Sequence, residues 1–164
     1  MKIIENTVEI QAPVEAVWLE LSRTETYGDW NPFITRLDGA FELGSRLTVT
    51  ICPGKRRMTF RPTVVAVERN RTVQWLGRMG LPGIFDGRHE YHLEPHGTGA
   101  TRFTQRESFS GILVGALSNV LADTEAGFAA MNEALRARVE FDVETSRTSP
   151  PPPDSGNASP PRHS

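Results

Sequence analysis

The chain of 164 residues has a single cysteine, Cys52, so it can form no internal disulfide, which suits a reducing compartment. No HExxH, CxxC or carboxylate-rich calcium loop occurs. His89, His92 and His96 make no metal site by spacing either, because the first two alternate faces and the third sits in a turn. No metal and no other cofactor are expected. The glycines between Gly77 and Gly83 do not lead from a strand into a helix, which excludes a dinucleotide or phosphate loop. The lack of a G-x-S-x-G pattern excludes a serine elbow. No run approaches the ~18 apolar residues of a membrane helix, and the opening Lys2-Ile3-Ile4-Glu5 lacks an apolar signal core. The expectation is no stable membrane insertion and a cytoplasmic location.

Excess positive charge is missing too. The formal net charge is −2, and the part before Thr145 is at −3 once Arg147 and Arg162 are set against Asp154. That balance argues against nucleic acid as a partner. The one basic cluster, Lys55-Arg56-Arg57, follows Pro53-Gly54 and reads as a solvated hairpin tip, with Cys52 as an ordinary strand-end residue beside it.

What is present is a change of period. Ile4, Asn6, Val8 and Ile10 alternate with Ile3, Glu5, Thr7 and Glu9 as a strand. Pro13 then opens a short helix to about Ser22, with Val14, Val17, Trp18 and Leu21 at helical spacing. Tyr27 to Phe33, with a glycine, a pre-proline Asn31 and three aromatics, reads as a sharp bend after that helix has stopped. Strands are expected over Ile34–Phe41, Arg46–Ile51, Met58–Glu68, Thr72–Arg78, Asp86–Glu94 and Thr101–Ser110, with Pro62 marking a bulge or an edge in the third of these. Gly80 to Phe85 reads as a packed loop or a flap.

After Gly111 the period becomes helical, with Leu113, Leu117, Val120, Leu121, Thr124, Phe128, Met131, Leu135 and Val139 on one face, to about Glu144. Gly127 in its middle predicts a close approach or a bend there. Residues 1–144 form one domain large enough for a self-sufficient core. Residues 145–164, with Pro150 to Pro153, form a disordered Pro/Ser-rich tail. The fold class is α+β: a curved antiparallel sheet of about seven strands wrapped on one long C-terminal helix, with a short helix after the first strand. Closing such a sheet over one helix tends to leave a hollow, so an apolar ligand is the expected partner.

The order of elements is that of the helix-grip fold. Ile10 to Trp18, Trp30-Asn31-Pro32-Phe33, Gly87 to Pro95, Phe103 to Gly111 and Ala126 to Asn132 make the chain resemble the SRPBCC superfamily. This group includes START-like lipid carriers, Bet v 1-like proteins and polyketide cyclase/dehydratase-like bacterial proteins, and the likeness is greatest to small bacterial stand-alone members. The resemblance covers residues 1 to about 144. It implies a cavity between sheet and long helix that holds a lipid, a polyketide or another aromatic or isoprenoid-like compound. The alternatives it implies are a cyclase/dehydratase-like enzyme without metal or nucleotide, and a chaperone-interaction module working through the outer surface. Monomer and homodimer are both compatible with it.

Period two gives the candidate site. If Phe103 and Phe109 face the helix, Thr101, Gln105 and Glu107 do so as well, and His89 joins Gly87, Tyr91 and Leu93 on the inner face. A carboxylate on an apolar concave face makes Glu107 a candidate proton carrier, with His89 a candidate acid/base across from Glu107 or Asp86. The competing reading puts Glu107 near the mouth or in a pair with an arginine such as Arg78, Gln105 as a hydrogen-bonding wall group, and His89 as a satisfied core residue. Trp30, Phe33, Phe60, Trp75, Phe85, Tyr91, Phe103, Phe109, Phe128 and Met131 are expected to line the ligand cavity with these polar residues.

Overall fold

The computed structural model describes residues 1–78, 84, 86–112 and 114–148, with the backbone course alone at 116–120. Strand β1 (Lys2–Ile10) leads into helix α1 (Val14–Ser22), a 3-10 turn (Thr24–Thr26) and one further helical turn, α2 (Tyr27–Trp30). The bend expected at Tyr27 is therefore helical for four residues before it turns. Trp30 packs there on Tyr27, with ring centroids 5.1 Å apart. Asn31 ends the turn, its Oδ1 accepting from the backbone N–H groups of Phe33 at 3.0 Å and Ile34 at 2.8 Å.

Then follow β2 (Ile34–Asp38), β3 (Thr48–Ile51), β4 (Met58–Phe60), β5 (Thr63–Glu68), β6 (Thr72–Arg78), β7 (Asp86–His96) and β8 (Ala100–Ser110). A 3-10 turn (Val114–Leu117) precedes the long helix α3 (Ser118–Thr148). The strands form two antiparallel sheets, β1-β8-β7-β6-β5 and β2-β3-β4. The expected strand Met58–Glu68 is thus two strands in different sheets. Its break falls at Pro62, whose missing N–H cannot serve a ladder, while its carbonyl accepts from the Leu47 N–H at 2.9 Å. The helix runs to Thr148, so 145–148, expected as the start of the tail, are helical. The expected loop 80–85 lies outside the described residues except at Ile84.

The large sheet presents its inner face as cross-strand rows. From one end these are Leu93–Phe103–Val8, Val73–Tyr91–Gln105–Asn6, Trp75–His89–Glu107–Ile4 and Gly77–Gly87–Phe109–Lys2. Successive rows are two residues, about 7 Å, apart, and α3 descends roughly one turn of 5.4 Å for each. Met131 and Asn132 meet the second row, where Tyr91 Oη donates to Met131 Sδ at 3.7 Å and Asn132 Nδ2 to Asn6 Oδ1 at 2.8 Å. Phe128 meets the third, edge-on to His89. Gly127 is the expected close approach: a Cβ there would overlap the ring of Phe33. Among the described residues no helix is long and apolar enough to cross a membrane.

Candidate functional site: a hollow over a His–Glu pair

The first two rows are filled. Tyr91, Phe103, Gln105, Phe128 and Met131 are fully buried and do not line the hollow, which corrects their expected place in the cavity wall. The physical reason is volume: three large rings and a methionine occupy the space between sheet and helix at close-packed density. Trp30, half-buried against Tyr27, is also outside the lining. Phe85 lies outside the described residues.

The hollow opens at the glycine row. It measures about 80 Å³ and is lined by Trp75, Gly77, Arg78, Gly87, His89, Glu107 and Phe109 from the large sheet, by Phe33, Ile34, Val49, Ile51, Met58, Phe60 and Pro62, and by Leu121 and Thr124 of α3. Six expected residues therefore meet here: Phe33, Phe60, Trp75, His89, Glu107 and Phe109. The other small-sheet residues, Ile34, Val49, Ile51 and Met58, were not anticipated, since their role depends on how the second sheet folds over the first. Gly77 and Gly87 did carry a signal, because glycine inside a strand often marks a close approach or a ligand.

At the floor, His89 Nδ1 lies 3.4 Å from Glu107 Oε2. On its other side the Gln105 amide nitrogen lies 3.3 Å from His89 Nε2. This assignment makes Nε2 the acceptor and keeps the ring proton on Nδ1, directed at the carboxylate. The His89 ring also stacks on Trp75, with centroids 4.4 Å apart and planes 9° apart. The histidine is thereby held on one face and at both nitrogens, 4% exposed, while Glu107 is the more open member at 19% side-chain exposure. Gly87 makes room for it: a Cβ there would sit 2.8 Å from Glu107 Oε1.

The alternative pairing of Glu107 with Arg78 does not occur. Arg78 Nε faces Asp86 Oδ1 at 3.6 Å across β6 and β7. Nor do the histidines converge: His92 pairs outside with Glu94 at 3.4 Å, and His96 faces Glu9 and Arg102. Behind the site two tyrosines stay protonated. Burial pushes the Tyr27 phenol well above its ordinary value, and burial, the Tyr27 phenol and the Glu107 charge do the same for Tyr91.

The family model described as polyketide cyclase / dehydrase and lipid transport matches residues 1–140. The chain belongs to this family. Its description joins two activities that handle hydrophobic molecules. No curated protein matches the chain. Among solved structures, the family member is similar to the Zhui aromatase/cyclase of a Streptomyces species, with a TM-score of 0.73 and 16% identity over 88% of this chain and 97% of that one. It is also similar to a START superfamily protein of Mycobacterium smegmatis, with a TM-score of 0.66 and 20% identity over 85% and 97%. A third likeness is to norcoclaurine synthase of Thalictrum flavum, with a TM-score of 0.67 and 18% identity over 87% and 96%. At such identities the likeness shows the fold alone.

Proposed function

We propose that this chain binds a small hydrophobic molecule, of lipid, polyketide or other aromatic or isoprenoid-like kind, in the hollow between its sheets and α3. The observation that carries this reading is an apolar, ring-walled hollow whose polar lining, among the described residues, is His89, Glu107, Arg78 and Thr124. Burying apolar ligand surface contributes about 25 cal/mol per Å², and the few polar groups fix orientation. Native mass spectrometry of the purified protein, with mass identification of whatever denaturation releases, tests it. A stoichiometric apolar compound supports the reading. An empty protein that also takes up no apolar probe in titration defeats it.

A second reading rests on the His89–Glu107 contact. His89 Nδ1–H, directed at the carboxylate, would steady the Glu107 charge, so that Glu107 takes a proton from a carbonyl-bearing polyketide as base and returns it as acid, as in a cyclase/dehydratase. Glu107→Gln with binding retained and turnover lost supports the enzyme. Loss of neither returns the protein to the role of carrier.

A further inference from the structure

The two strand glycines of the hollow have different reasons to be glycine. Gly87 is demanded by its neighbour, since any Cβ there would meet Glu107 Oε1 at 2.8 Å. For Gly77, its cross-strand partner, no described residue makes such a demand. Its φ lies outside the left-handed region, and among the described residues a Cβ there would meet only Pro62 Cβ at 3.8 Å and the Gly87 carbonyl oxygen at 3.9 Å, both ordinary contacts. Glycine inside a strand weakens it through extra chain entropy and lost packing. A residue that costs stability and relieves no strain has its reason in the space it leaves empty, and that space is the hollow.

We propose that Gly77 is a specificity-determining residue: with Gly87 it leaves a bare backbone floor that admits the flat end of a ligand, a planar ring or enone carrying an oxygen that meets Glu107. This rests on the binding reading above and narrows its ligand class. Two adjacent residues without side chains form a shallow plane rather than a round pit, and Glu107 Oε1 hangs over one side of it. The hollow of about 80 Å³ is smaller than the ~150 Å³ that holds benzene in an engineered apolar cavity. Only the thin end of a ligand enters, and a single methyl group at Gly77 takes much of the room.

Calorimetric titration of the full chain with naphthol and with decahydronaphthol, which share a carbon skeleton and a hydroxyl but differ in thickness, tests the proposal. The wild type is expected to favour naphthol by roughly tenfold or more, the scale on which a pocket discriminates one buried carbon. Gly77→Ala abolishes the preference with an unchanged or raised melting temperature, and Gly77→Val does so more completely. Equal affinity of the wild type for both compounds, or naphthol binding by Gly77→Ala and Gly77→Val as tight as the wild type's, overturns the role of Gly77 and leaves the binding reading standing. Uptake of neither compound by the wild type overturns the role of Gly77, and only together with an empty protein in native mass spectrometry does it overturn the binding reading as well.

Discussion

The two ends of the same sheet–helix interface obey one alternation and reach opposite results. At the β7–β8 turn end, inward positions carry Leu93, Phe103, Tyr91 and Gln105, all with 1% exposure or less, closed by Phe128, Met131 and Leu135 of α3. At the other end the inward positions are Gly77, Gly87 and Phe109, and a hollow remains. The His89–Glu107 row lies on the boundary, with the histidine belonging to the packed end and the carboxylate to the open one. Period two decides which way a side chain points; side-chain volume decides whether the space it points into is full.

The largest test of that contrast is Phe103→Ala. Phe103 is fully buried and packs against Tyr91 with centroids 5.4 Å apart, so its removal leaves a sealed void and is expected to cost about 3–5 kcal/mol. The denaturation midpoint in urea, at unchanged slope, measures it. A loss near zero would mean that the packed end is as loose as the open one.

Much of this is legible in the sequence. The alternation through β7 and β8 correctly turned His89 and Glu107 inward, because a half-buried sheet tolerates no slip of register without exposing Phe103 and Tyr91 together. The close approach at Gly127 was legible for the same kind of reason, since a mid-helix glycine costs stability that something must offset. What could not be read was which inward residues meet a ligand and which meet each other. That depends on long-range placement: Pro62 hands the chain from one sheet to the other, bringing Met58 and Phe60 over the glycine row. Trp30 failed as a lining residue because one more helical turn sends it against Tyr27.

Next in size is Gly127→Ala. Here the methyl group would strike Phe33, and overpacking of this kind costs about 1–3 kcal/mol, against a gain of roughly 1 kcal/mol in helix propensity. The expected net loss, read from the same midpoint, contrasts in sign with the effect at Gly77. Stability equal to or above the wild type's would show that Phe33 moves aside freely and that the wall between the two ends is soft.

Alkaline pH probes the packed end without mutation. The Tyr27 and Tyr91 phenols have raised values in the fold, chiefly through burial. Unfolded tyrosines ionise near pH 10. Below that both states hold the protons and stability is unaffected. Above it only the unfolded state releases them, so stability falls by roughly 1 kcal/mol per pH unit from each phenol until the folded state also ionises. Denaturation midpoints between pH 9 and about 11 follow the fall, and Tyr27→Phe should flatten part of it. A flat profile would place these rings in contact with water.

The smallest effect sharpens the comparison most. Phe60 is as large as Phe103, but it stands half-buried on the three-residue strand β4, facing the hollow. Phe60→Ala therefore widens a space already open instead of creating a sealed one, and the cavity penalty that dominates at Phe103 largely drops out. The expected cost is below ~1.5 kcal/mol, with affinity for an apolar probe reduced because one wall of the hollow is gone. Large loss of stability at Phe60 would mean that the small sheet holds the fold together as the packed rows do. A small loss of stability paired with a clear loss of affinity assigns the two ends separate work, one keeping the sheet on its helix and the other keeping a space for something that is not protein.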